Sequence, residues 1–314
     1  MVNRRHIRVK VMQSIYAMHQ NGSDDLVKEE KFLYYSIDAI QDLYLIMLSS
    51  LIEICKKETI FLHLSSQKHL ATPQERKPNE KFIKNAIFQI LSENNSLSIA
   101  LENRKIDNWT LNDDYILLLL TDIKQSKLYE NYMRNAINTF EEDKDFIVDL
   151  FMDVIVPNEK LYEYLEDNKL TWIDDIPLVN THIIKQLKAL KPVEEGNFRV
   201  PKLFKDNEDR DFVKDLFRKT VLNEPELAKE FEDKTPNWDT DRIAEIDTII
   251  LKMAICEFLK FPSIPVKVTL NEYLELAKEY STPKSSIFIN GILDNLVKEL
   301  QTNNRIQKIG RGLM

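Results

Sequence analysis

Glycine is the first thing this chain has little of: five occur in 314 residues, against about 22 at the usual frequency near 7%. No GxGxxG, GxxxxGK[ST] or GxSxG pattern is present, so a phosphate-cradling loop or a nucleophile elbow has no support. Cysteine is nearly absent as well. Cys55 and Cys256 make no CxxC pair and no disulfide framework, which fits a reducing compartment. The five histidines, His6, His19, His63, His69 and His182, form no HxxxH pair beside a carboxylate, so no metal site and no cofactor are expected. No residues are arranged as a catalytic group, because acidic pairs carry no information in a chain with 51 carboxylates. Long apolar runs are missing too. The most hydrophobic stretch, Leu43 to Cys55, is bounded by Asp42 and Lys56 and falls short of the roughly 20 residues a bilayer span needs. The basic start lacks the apolar run of a secretory signal. A cytoplasmic protein without membrane contact and without enzymatic activity is the expectation.

What the chain has instead is Leu, Ile, Lys, Glu and Asp in helical periodicity, which predicts an all-α fold. Helices are expected over 4–20, 26–63, 80–94, 112–142, 143–168 and 178–190, with breaks at Pro73, Pro78, Pro157 and Pro177. KPVEEGNFRVP, residues 191–201, reads as a boundary. Beyond it helices are expected over 209–222, 224–233, 241–260 and 270–280, the last with Thr269 and Glu272 as a capping box. A final helix begins near Ser281-Thr282-Pro283, where a hydroxyl cap precedes a proline at the first helical position. An internal repeat is also visible. DKDFIVDLF at 143–151 matches DRDFVKDLF at 209–217, and the offset of 66 brings Trp172 onto Trp238, with eleven identities over 143–175. THIIK at 181–185 then aligns with TIILK at 248–252 after a one-residue slip. Duplication explains the phased landmarks better than chance similarity of amphipathic helices.

Charge is distributed unevenly. A chain of net charge −8 opens MVNRRHIRVK, with Arg4, Arg5, Arg8 and Lys10 in its first ten residues. If residues 4–20 are helical, Ile7, Val11, Ile15 and Met18 form the buried stripe. Arg5 and Arg8 then share a neighbouring face with Arg4, and Lys10 points elsewhere. Planar guanidinium forks at a helix start suit phosphate, although a solubilising terminus accounts for the same charges. In SSIFING, 285–291, Phe288 falls in the first turn of the last helix. It recurs with Ile292 and Leu296 at core spacing, and it is also placed for a base to stack on. The acidic run DTDRIAEID, 239–247, either meets a basic partner or simply starts a helix.

Residues 237–296 resemble the C-terminal half of the NusB transcription antitermination family. The resemblance is carried by Arg242 and Asp247, Ala254 and Glu257, Pro265-Val266, Asn271-Glu272, Glu275-Leu276-Ala277-Lys278, Phe288-Ile289-Asn290-Gly291 and Leu293-Asp294. RRHIRVKVMQSIY resembles the family's arginine-rich first helix, with Gln13 to Tyr16 as its Q-x-[LI]-Y end. The resemblance implies a NusB-like helical bundle that binds boxA-like single-stranded RNA together with the ribosomal protein NusE. Contact with the RNA polymerase complex would be indirect, and read-through of terminators would be the outcome. It further implies RNA contacts at Arg4, Arg5 and Arg8, with Phe288 at the same surface, and partner contacts at Tyr16, Asp241 and Asp247. Lys10 and Lys284 join the RNA-binding set; Lys284 stands where the family often has an acidic residue. The expected layout is an arginine-rich RNA-binding helix over 1–23, an inserted helical region over 24–200 holding the degenerate repeat 143–190, the NusB-like bundle over 201–303 and a basic tail over 304–314. Short family members have no counterpart of 24–200. A rival reading is a protein–protein scaffold or a ribosomal-RNA processing or assembly factor with the same fold and little RNA affinity of its own. The RNA module of a ribosomal-RNA methyltransferase is a weaker rival, since the Gly-rich cofactor domain it needs is not there.

Overall fold

The computed structural model describes residues 1–192, 198–232 and 244–313. Among these there are sixteen α-helices and no strand. They are α1 (Arg4–Gln20), α2 (Leu26–Ser66), α3 (Pro73–Arg76), α4 (Ala86–Ser92), α5 (Asn95–Arg104), α6 (Asn108–Leu111), α7 (Asp113–Gln125) and α8 (Lys127–Arg134). Next come α9 (Phe140–Leu150), α10 (Glu159–Asn168), α11 (Ile176–Lys188), α12 (Asn207–Leu222), α13 (Glu224–Glu232), α14 (Glu245–Lys260), α15 (Val266–Tyr280) and α16 (Pro283–Thr302). No described helix is long and apolar enough to cross a membrane. The chain divides into two compact units, one made of Met1 with Asp38–Leu203, the other of Val2–Ile37 with Phe204–Met314.

In the first unit the apolar run read from the sequence becomes the core of α2. Leu43, Tyr44, Leu45, Ile46, Met47, Leu48 and Leu51 are all buried, as a helix hydrophobic on every side must be. Two indoles fix the surrounding chain to this helix. Trp109 Nε1 donates to the Ile46 carbonyl at 3.0 Å, and Trp172 Nε1 donates to the Ala39 carbonyl at 2.8 Å. Phe82, Phe88 and Phe146 meet edge to face and fill the space beside α4 and α9. A π turn over Phe151–Ile155 follows α9, and the expected continuous helix 112–142 is divided into α7 and α8. Ser126 ends α7 in extended backbone and caps α8, its hydroxyl accepting from the Tyr129 amide. The helix α5, capped by Asn94, has too weak an apolar face to be read from periodicity.

In the second unit α14 is central: residues Ile249 to Phe258 are buried except Lys252, and α1, α12, α13, α15 and α16 pack against it. The start of α16 follows its sequence signal, Thr282 accepting from the Ser285 amide with Pro283 at the first position. The expected capping box at Thr269 is corrected. Helix α15 begins a turn earlier, after Pro265, and Thr269 lies inside it with its hydroxyl committed elsewhere. The tail after α16 folds back. Lys308 Nζ donates to the Phe261 carbonyl at 2.9 Å, Ile309 N–H donates to the Pro262 carbonyl at 3.0 Å, and Arg305 forks onto Glu230. Gly312 closes this contact, since a Cβ there would lie 2.0 Å from the Pro262 oxygen.

The two stretches of the repeat read from the sequence fall one in each unit. At the offset of 66, Phe146 and Phe212, Ile147 and Val213, Leu150 and Leu216, Phe151 and Phe217, and Leu161 and Leu227 are buried alike. Ile183 in α11 and Ile250 in α14 continue the match after the slip. Trp238 lies outside the described residues.

Candidate nucleic-acid interface

Helix α1 starts where Asn3 accepts the His6 amide at 2.9 Å, leaving Arg4 and Arg5 in its first turn. The expected stripe of Ile7, Val11, Ile15 and Met18 is buried. So are Val9, Met12 and Ser14, because the helix lies inside the bundle against α12 and α14.

That burial separates the four basic residues. Arg4 Nε donates to Asp209 Oδ1 at 2.9 Å, its guanidinium 5.2 Å over the Phe212 ring. Arg5 forks onto both oxygens of Glu272 at 3.1 Å each. Arg8 is only 2% exposed. It forks onto Glu257 at 2.9 and 2.8 Å and approaches Glu272 at 3.5 Å. The Thr269 hydroxyl donates to Glu257 at 2.7 Å and the Tyr273 hydroxyl at 3.2 Å, so the buried carboxylate is fully engaged. Burial alone would lower the affinity of Arg8 for its proton, but the Glu257 charge and hydrogen bond outweigh it and the guanidinium is held more basic than usual. Burial, and then the same carboxylate, push the Tyr273 phenol well above its ordinary range. Arg8 and Lys10, both in the expected RNA-binding set, are therefore buried rather than exposed. Lys10 is 1% exposed, and both residues belong to the interior.

Arg4, Arg5 and Arg8 do come together around one surface pocket of about 620 Å³, whose other walls are Asn3, Ser263, Ile264, Pro265, Val268 and Glu272. The starts of α1 and α15 both border it, adding the partial positive charge of helix N-termini. Lys284 is exposed and Phe288 half-buried at the start of α16; neither lines this pocket. Ile289, Ile292, Leu293 and Leu296 supply the core face of α16 instead. Spacing within the sequence had no means of pairing Arg8 with a residue 249 positions away.

Of the partner residues, Tyr16 is 39% exposed on α1. Asp247 is buried at the start of α14, where it accepts the Ser281 hydroxyl. Asp241 and Arg242 lie outside the described residues. One turn beyond Tyr16, His19 Nε2 lies 2.9 Å from Glu224 and Nδ1 3.0 Å from Glu245, and Lys252 binds the other Glu224 oxygen at 2.9 Å. The Glu224 hydrogen bond raises the His19 pKa against the opposing effect of burial. Burial works against the Glu224 carboxylate, but hydrogen bonds from His19 and Lys252 hold it below the usual range. A raised histidine stabilises fully below its unfolded value of about 6.5 and loses that contribution as pH rises through the folded value. The depressed Glu224 acts in the opposite sense, stabilising above about 4.3 and losing that as pH falls through its folded value. The melting temperature of this unit is therefore expected to fall as pH rises through the interval above the free-histidine value of about 6.5, with His19→Gln flattening that slope. Thermal melts across this interval check it, and an unchanged slope in the variant sinks the assignment.

The NusB family model matches residues 190–298. The chain is 44% identical over 116 residues to the transcription antitermination protein NusB of Salinibacter ruber, covering 37% of this chain and 72% of that protein. The NusB of Clostridium kluyveri is 38% identical over 125 residues, with 37% of this chain and 80% of that protein covered. That of Chloroherpeton thalassium is 37% identical over 109 residues, with 35% and 52% covered. No solved structure matches. An arginine-rich first helix packed into an all-helical bundle, together with these relatives, shows that the chain belongs to the NusB family.

Proposed function

We propose that this protein is a non-catalytic transcription antitermination factor that binds boxA-like single-stranded RNA together with the ribosomal protein NusE, and acts on RNA polymerase through that complex. The observation that carries the reading is the pocket at the joint starts of α1 and α15, with two arginines at its mouth. Arg4 and Arg5 are only partly covered; Glu208, the more distant partner of Arg4, lies at the surface, while Asp209 and Glu272 are largely covered. The Arg4–Glu208 pair, 3.5 Å apart at the surface, is of the kind worth about 0–1 kcal/mol, so a phosphate can displace Glu208 at little cost. Arg8 holds the helix in place from below. Lys284, which is exposed, and Phe288, which is half-buried, extend the RNA surface on α16, Lys284 through charge and Phe288 as an aromatic ring. Tyr16, with Asp241, is the proposed contact for the ribosomal protein.

Fluorescence anisotropy with a boxA-like RNA and a scrambled control, at two salt concentrations and with or without NusE, tests this. Each phosphate contact contributes about −0.7 to the slope of log affinity against log salt on a single strand. Arg4→Ala/Arg5→Ala is expected to flatten the slope by roughly 1.4 and to weaken low-salt binding at least about tenfold. Unchanged affinity and slope in a folded double variant overturn the assignment. One observation favours the scaffold reading, namely that Arg4, Arg5 and Arg8 all meet carboxylates of their own chain. A NusE complex indifferent to RNase and to loss of both surface arginines would select it.

A further inference from the structure

We propose a second RNA-contacting surface on the first turns of α2, where Phe32 and Tyr35 form a stacking platform for bases of the strand that leaves the arginine pocket. The proposal rests on the RNA-binding reading above and deepens it. Phe32 is 43% and Tyr35 55% exposed, their ring centroids 6.4 Å apart and their planes tilted by 34°. Single exposed apolar residues are ordinary, but two adjacent aromatic rings with Val27 on one helical stripe make a patch that calls for an occupant.

The charges of the segment identify that occupant. Lys28 and Lys31 are exposed at the same helical spacing as the rings. The acids of these turns are turned to internal tasks: Glu29 is buried, Glu30 is ion-paired with Arg218, and Asp25 accepts the amides of Val27 and Lys28. The exposed acids Asp24 and Asp25 lie before the helix, and beside the rings themselves the exposed charges are Lys28 and Lys31, an aromatic and basic combination that binds single-stranded nucleic acid without demanding sequence.

Position supports the same choice. The Tyr34 hydroxyl donates to the Arg210 carbonyl at 3.1 Å, and the residue before it, Asp209, holds Arg4. The start of α12 therefore links the pocket to the platform, where Arg210 is exposed together with Glu208 and Asp211. Sequence-tolerant stacking here would lengthen the contacted RNA beyond the motif itself.

The test compares a short boxA-like RNA with the same RNA extended by oligouridine at its 5′ or its 3′ end, in anisotropy titrations of the full chain. Wild-type protein is expected to bind one extended form roughly tenfold more tightly than the short form, since each stacked base is worth that order of gain. Phe32→Ala/Tyr35→Ala should abolish this gain and leave short-RNA affinity unchanged, while Phe32→Tyr should retain it. Photocross-linking of the uridine run to Tyr35, read by mass spectrometry, is the second readout. Short-RNA binding without any gain from either extension overturns the proposal, as does a gain that survives the double variant. Failure of the short RNA to bind removes the underlying reading, and the platform falls with it.

Discussion

Replacing Glu257 with alanine is expected to cost the second unit about 3–5 kcal/mol, because it strands a buried guanidinium. Arg8 is only 2% exposed, and the donors now aimed at Glu257, from Arg8, Thr269 and Tyr273, would lose their common acceptor. The loss exceeds what the pair itself contributes, since two charges were taken out of water to form it. An apolar pair of similar volume, Arg8→Met/Glu257→Leu, should accordingly recover most of the stability lost in the single variant. Arg8→Lys should not, because an ammonium cannot span both carboxylate oxygens. Denaturant dependence of hydrogen exchange at the amides of α1 and α14 reads this unit directly. A Glu257→Ala protein within about 1 kcal/mol of wild type would mean that the pair is not buried in solution.

Trp172→Ala is expected to be of similar size in the other unit, about 3–5 kcal/mol for emptying a fully packed indole site. The ring is 1% exposed, Lys169 sits 4.9 Å over it, and its N–H reaches the Ala39 carbonyl on α2. Trp172→Phe keeps most of the volume and gives up the hydrogen bond, so a smaller loss is expected, about 1 kcal/mol for the bond itself. The difference between the two variants separates packing from polar anchoring. Exchange rates of amides in residues 38–54 of α2 provide the readout. Equal losses in both variants would show that the hydrogen bond, and not the volume, fixes this segment.

Much of this architecture was readable from local pattern. The stripe Ile7, Val11, Ile15 and Met18 placed α1, and Thr282-Pro283 placed the start of α16, because both are signals confined to a few neighbouring residues. The capping box at Thr269 failed for a long-range reason: its hydroxyl is more useful to Glu257, twelve residues back, than to its own helix end. The arginines show the same limit at the site. Three-residue spacing put Arg5 and Arg8 on one face, and both do line the pocket, yet one is surface and the other interior. What divides them is Glu257 on a helix near the other end of the chain, which no local pattern contains. The resemblance to the family had already marked Glu257, without saying what it holds.

The second unit is assembled from two stretches of sequence with Asp38–Leu203 of the other unit between them. During synthesis at about 5–20 residues per second, α1 therefore emerges roughly 12–50 s before the segment bearing Glu257, which follows Arg8 by 249 positions. In that interval its apolar side chains and its buried-to-be Arg8 and Lys10 have no native site to occupy. The intervening unit, whose contacts are nearer in sequence, is positioned to fold first, and closing so long a loop is the slow step. The arginine-bearing helix is thus made well before α12 and α14, the helices it packs against, and its native site exists only once the intervening unit has been synthesised.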